Sequence, residues 1–171
     1  MKRTPDGRIL IVADTSFLVN FLHLNRMDLL GDLGLYAFHV PNHVIAEVKY
    51  DEQRTRLNAA IDGGILTELE ITDQVEIALY ADLRRFLGDG ESACLSVAVT
   101  RRWAVAADEK GRLRREIVAR LGETYLLNTP GALVAALRAG ILSVSEAEDI
   151  RRELARRRFV MKVPPFGDLL R

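Results

Sequence analysis

A single cysteine, Cys94, excludes an internal disulfide and fits a reducing compartment. Its neighbours Ala93 and Leu95 read as the surroundings of a small buried side chain rather than a nucleophile. No apolar run approaches the roughly 20 residues of a membrane span. The N-terminal stretch MKRTPDGRILIVAD has too short an apolar part, and turns acidic too soon, for a secretory signal. The expectation is therefore a cytoplasmic protein with no membrane association. Lysine is scarce too: four of the 24 basic residues are Lys, so 20 are Arg. The planar arginine fork suits phosphate groups, although a codon bias gives the same count. The 24 acidic residues bring the net charge to zero, so no global field draws the chain to nucleic acid. Internal repeats, low-complexity segments and linkers are absent, as are a P-loop, a GxGxxG and a Ser-His-Asp order. Acyl transfer and nucleotide-cofactor chemistry are thereby disfavoured.

Histidine adds little. His39 and His43 flank Pro41, which spoils a regular helical pair of metal ligands, and His23 sits among apolar residues.

What remains is an ordinary globular composition, 49% hydrophobic and 28% charged over 171 residues, enough for one domain with a real core. Arg8–Leu22, RILIVADTSFLVNFL, organises the rest. Ile9–Ala13 is an unbroken apolar run, as in a strand buried on both faces of a parallel sheet. Asp14 ends it, Thr15 and Ser16 follow, and Phe17–Leu24 has helical spacing. Further strands are expected at Tyr36–Val40, Ile65–Ile71, Trp103–Ala107 and near Tyr125–Leu127.

Helices alternate with these strands. A short one is expected around Met27–Leu30. Pro41 fits the first turn of another, which continues through the polar Asp51–Arg56 to Gly63-Gly64. Asp73 and Glu76 have capping-box spacing, before an apolar stripe of Val75, Leu79, Leu83 and Phe86. Gly88-Asp89-Gly90 separates that helix from a small-residue helix beginning at Glu91. Lys110–Leu121 and a segment from Thr129-Pro130 to Gly140 follow, then a helix capped by Ser145 and Glu148 that runs through Arg157. The tail Phe159–Arg171 is apolar enough to pack back on the body. Such alternation predicts an α/β fold, a three-layer α/β/α sandwich around a central, mostly parallel sheet.

Four acids share a pattern on this frame. Asp14 and Asp108 each follow a buried strand, Glu91 lies in a first helical turn, and Glu47 lies amid apolar neighbours on the helix after the second strand. In a doubly wound sheet, strand ends and the helix starts after them face one edge. Each acid also has an ordinary reading, as a helix cap, a first-turn acid or a solvated residue. Taken together those readings leave a cost unexplained. Two carboxylates about 4 Å apart repel by roughly 4 kcal/mol at an effective dielectric near 20. Such a cluster lifts its members' pKa values or takes a cation, and an all-oxygen donor set suits Mg2+ or Mn2+ rather than zinc.

In the order ADTSFLVN, VIAEV, GDGESACLSVAV and WAVAADEK, closing with TPGALVAALRAGILS, the chain resembles a PIN domain, the small metal-dependent ribonuclease fold. It is most similar to the VapC-type branch found in toxin–antitoxin operons. The resemblance covers essentially the whole chain, and implies one PIN-like nuclease domain over 1–171 with a C-terminal helical extension over about 129–171. It implies a metal-binding and catalytic quartet of Asp14, Glu47, Glu91 and Asp108, holding one or two Mg2+ or Mn2+ ions. Thr15 or Ser16 would support the first acid, and Asp89 or Glu109 would assist. The third acid is often Asp in that family and is Glu91 here, one methylene longer. The implied activity is endoribonuclease cleavage of RNA phosphodiester bonds, leaving 5′-phosphate and 3′-hydroxyl ends. A cognate antitoxin and a homodimer are the implied partners. Lys110, Arg112, Arg114 and Arg115 follow Asp108 and are candidates for the RNA backbone. The cluster Arg151, Arg152, Arg156, Arg157 and Arg158 is solvated, faces RNA or docks an acidic partner. The alternatives are a catalytically silent PIN-fold module that binds RNA or protein, and a phosphatase using Asp14 as nucleophile. The second lacks the usual Asp two residues on, where Ser16 stands.

Overall fold

The computed structural model describes residues 1–170. The apolar run forms β1 (Ile9–Ala13), buried at every position. It is the middle strand of a five-stranded sheet with β2 (Tyr36–Pro41), β3 (Leu66–Leu69), β4 (Ala104–Ala106) and β5 (Leu126–Leu127), in the order β3-β2-β1-β4-β5. Every pairing is parallel. Strands covered by helices on both faces need continuous apolar sequence, and ILIVA supplies it. Burial weakens toward the edges: β3 is buried only at Leu66 and Leu69, and β5 is half-buried.

The chain winds first one way from β1 and then the other. It passes through α1 (Thr15–Leu24) and α2 (Asp28–Asp32) to β2, then α3 (Asn42–Glu47) and α4 (Asp51–Asp62) to β3. It returns through α5 (Gln74–Leu83) and α6 (Asp89–Arg101) to β4, and by α7 (Arg112–Leu121) to β5. Right-handed crossovers with these opposite directions put α1 and α4 on one face and α5 to α7 on the other, while the short α3 packs against α6. The last helices, α8 (Thr129–Arg138) and α9 (Val144–Arg156), follow β5, and α9 packs against α1. The strand order reverses between β1 and β4, and a crevice opens at such a reversal beyond the strand ends. Asp14 and Asp108 flank it.

The core is aliphatic with one aromatic knot. The Phe17 ring lies 4.9 Å from Phe21 and 6.1 Å from Phe38. Cys94 is fully buried, and its thiol reaches the Ala13 carbonyl at 3.5 Å. Burial pushes that thiol well above its usual range, which fits the structural role expected of it.

Four expectations need correction. The helix from Pro41 is two helices, because Val48 leaves the helical region (ψ 95) and Pro41 sits just outside the first turn. Glu47 is therefore a terminal helical residue. The stripe expected on α5 is turned: Val75 is 65% exposed and Phe86 39%, whereas Glu76 and Leu83 are buried. Asp73 does cap the helix through the Val75 and Glu76 amides, but the Glu76 carboxylate pairs with Arg101 instead of closing a box. The last helix begins at Ser143 with Glu146 as its reciprocal partner, two residues before the expected pair. Glu148 instead accepts the Phe166 amide at 2.7 Å, which pins the tail. Met161 and Phe166 bury that tail as expected, while Arg171 lies outside the described residues.

Candidate metal centre

Asp14 is the centre of the arrangement. Because β1 ends one residue earlier, its backbone is extended and its side chain caps α1. Oδ2 accepts the Ser16 amide at 3.1 Å and the Ser16 hydroxyl at 2.6 Å. Oδ1 is buried and has no hydrogen-bond partner among the described residues. Burial pushes this carboxyl up to about 6; the Ser16 hydrogen bonds oppose the rise, and the charges of Glu47 and Glu91 add to it.

Ser16 also ties the second strand-end acid to the first. Its hydroxyl oxygen accepts the Asp108 amide at 3.1 Å. The Asp108 carboxylate turns toward the start of α8, where it accepts the Thr129 amide at 2.9 Å and the Thr129 hydroxyl at 2.5 Å. Asn20, one turn after Ser16 on α1, donates to the same carboxylate at 3.0 Å. Burial raises the Asp108 pKa, against these bonds and the nearby Lys110 charge.

Glu47, at the end of α3, reaches across to α6. Its Oε1 accepts the Gly90 amide at 2.7 Å, and its Oε2 accepts the Thr15 hydroxyl. Gly90 matters here for space rather than for backbone angle: a Cβ at this position would lie 2.6 Å from Glu47 Oε2, so the Glu47 carboxylate would have to move off the Gly90 amide. Glu91 folds back on its own helix, its Oε2 accepting the Gly88 amide at 2.8 Å. That is the first-turn capping role, although its charge still bears on Asp14.

The two hydroxyls flanking Asp14 thus divide between two acids, Ser16 on Asp14 and Thr15 on Glu47. Asp89 stands apart, bonded to the Tyr80 hydroxyl and 3.3 Å from Arg84. Glu109 lines a cavity beside Asp108. Of the four cations after Asp108, Arg112 rests on the Phe86 ring (5.6 Å) and carbonyl, and Arg114 pairs with Glu123. Lys110 and Arg115 are exposed. In the C-terminal cluster, Arg151, Arg152, Arg156 and Arg157 each pair with an acid of α9.

Among the described residues, no three carboxylate, imidazole or thiol groups stand close enough together to hold one ion as they are. Glu47 and Asp108 spend both oxygens on protein donors, and Glu91 spends one. The donor chemistry nonetheless fits a hard divalent cation. A buried acid with one orphaned oxygen, two acidic neighbours and no protein cation on it lacks the positive charge that its burial calls for. The sequence reading missed Asn20, Thr129 and Gly90 as parts of the site. Asn20 had a signal, as the only polar side chain in FLVNFL.

A family model described as a PIN domain matches residues 10–165. No curated protein matches the chain.

Proposed function

The chain belongs to the PIN-domain family, whose members are in general nucleases, and on that premise we propose that it is a divalent-metal-dependent endoribonuclease. We assign it as the toxin of a toxin–antitoxin pair, a single domain acting as a homodimer in the cytoplasm on RNA. The observation that carries the nuclease reading is Asp14, 3% exposed, with one carboxylate oxygen unpartnered at the strand-order reversal. Asp14, Glu47, Glu91 and Asp108 would hold Mg2+ or Mn2+, Glu47 and Asp108 by giving up donors they now accept from. A bound divalent ion would lower the pKa of a water and stabilise charge on the scissile phosphate.

The remaining work falls to the chain itself. Ser16 holds Asp14 and the Asp108 backbone in one register. Asn20 and Thr129 keep the Asp108 carboxylate at the sheet edge. Gly90 lets Glu47 approach the start of α6. Lys110, exposed beside Asp108, and the exposed Arg115 supply charge for the RNA backbone.

The test is thermal melting in EDTA, Mg2+ and Mn2+, beside cleavage of a labelled single-stranded RNA. A Mn2+-induced rise that Asp14→Asn abolishes, with metal-dependent cleavage, is the expected result. Binding to the folded state alone contributes about 2.7 kcal/mol at a hundred times the dissociation constant, an easily read shift. A protein with no metal response and no cleavage would be a silent binding module instead.

A further inference from the structure

Next to Asp108, the C-terminal tail closes over the sheet edge and leaves an open cavity of about 230 Å3. It is smaller than the ~300–1,000 Å3 of sites for drug-sized ligands, and so suits one flat ring system. Its walls are apolar where the tail and α8 meet, with the half-buried Phe159 ring and Pro130 among them. Lys110, Arg114 and Lys162 line it beside the acids Asp108 and Glu109, and Arg114 is paired with Glu123. Lys110 and Lys162 are exposed and form no ion pair among the described residues. An aromatic face beside unpaired ammonium groups is the combination that single-stranded nucleic acid uses, stacking a base and fixing its phosphate.

We infer that this cavity is a nucleotide subsite, in which the base next to the scissile phosphate stacks on Phe159 while Lys110 and Lys162 hold its backbone. The inference rests on the ribonuclease reading and adds to it a means of choosing the cleavage position. The tail thereby becomes part of the substrate surface. A protein partner filling the same cavity is the competing occupant, and it would make no use of a base.

Anisotropy of a labelled single-stranded RNA of about ten nucleotides, in EDTA, separates these possibilities. Phe159→Ala should weaken binding about tenfold, the loss of one stacked base, and Phe159→Trp should restore it. Lys162→Ala should weaken binding and lower its salt dependence by about one ion. An RNA with an abasic site moved along the strand should lose affinity at one position, and Phe159→Ala should make that position indifferent. This arm perturbs the RNA rather than the fold. Cleavage in Mn2+ is read in parallel. A wild-type protein that cuts RNA with Phe159→Ala unchanged in affinity and cleavage pattern overturns the subsite alone. Phe159-dependent binding without any cleavage supports the subsite and overturns the nuclease reading. No RNA binding by the wild type overturns the subsite, and the absence of cleavage as well overturns both.

Discussion

Two carboxylates in this protein are buried almost equally, Glu76 at 2% and Asp14 at 3% exposure, and they could hardly be treated more differently. Glu76, on the outer pair of helices, has both oxygens answered: Arg101 donates to each, at 2.5 and 2.8 Å, and the Thr100 hydroxyl adds a third bond at 3.0 Å. Asp14, at the centre of the sheet edge, has one oxygen answered by Ser16 and the other by nothing among the described residues, with acids for neighbours. A buried acid with its own cation is part of the scaffold. One without a cation is held in a costly state, and such states persist where a ligand is to be bound.

The largest effect should come from removing the cost at Asp14. Its carboxyl is raised from 3.8 to about 6, a gap worth about 3 kcal/mol. Between those two values the folded state binds more protons than the unfolded one. Metal-free stability contributed by this group is therefore full at low pH, falls as pH rises through that window, and stays low above it. Asp14→Asn should lose that slope and, in EDTA at neutral pH, should unfold at higher urea by up to about 3 kcal/mol. A variant less stable than wild type would remove the contrast with Glu76.

Arg101→Met should move the other way. Breaking a fully buried pair costs about 3–5 kcal/mol. Arg101 is 28% exposed, so water softens the penalty, and about 2–3 kcal/mol is expected in urea unfolding. Replacing Glu76 by Leu as well should recover most of it, since the scaffold pair serves no ligand.

Gly90→Ala is expected next, at about 1 kcal/mol or less, because the new Cβ displaces the end of the flexible Glu47 side chain while Ala is the better helix former. Its Mn2+-induced thermal shift should shrink by more than its metal-free stability does. Thr129→Val should cost about 1 kcal/mol through the lost bond to Asp108, and Thr129→Ser should cost less. Equal losses from both substitutions would show that the hydroxyl is not what Asp108 needs.

Much of this arrangement was legible before any coordinates. ILIVA announces a strand covered on both faces, and Asp108 after WAVAA repeats the pattern, so the two strand-end acids follow from sequence and topology together. Gly88-Asp89-Gly90 marks a helix start, which located Glu91. What periodicity could not read was which face of α5 turns inward. Val75, Leu79, Leu83 and Phe86 look like a core stripe, yet only Leu83 is buried, Val75 is largely exposed and Phe86 partly so, while the Glu76–Arg101 pair takes the inside. Nor could it read the break at Val48, since β-branched valine is tolerated in helices and nothing local forbids continuation.

The sequence by itself determined the alternation of strands and helices, the parallel sheet and the four acids, because these depend on local apolar runs and local breaks. Tertiary structure alone decided how the acids are satisfied. Gly90 meets Glu47 from 43 residues away, Thr129 meets Asp108 from 21, and Ser16 meets the Asp108 amide from 92. Hydrogen bonds and close approaches across such separations are set by how helices pack over the sheet, and no spacing in the chain encodes them.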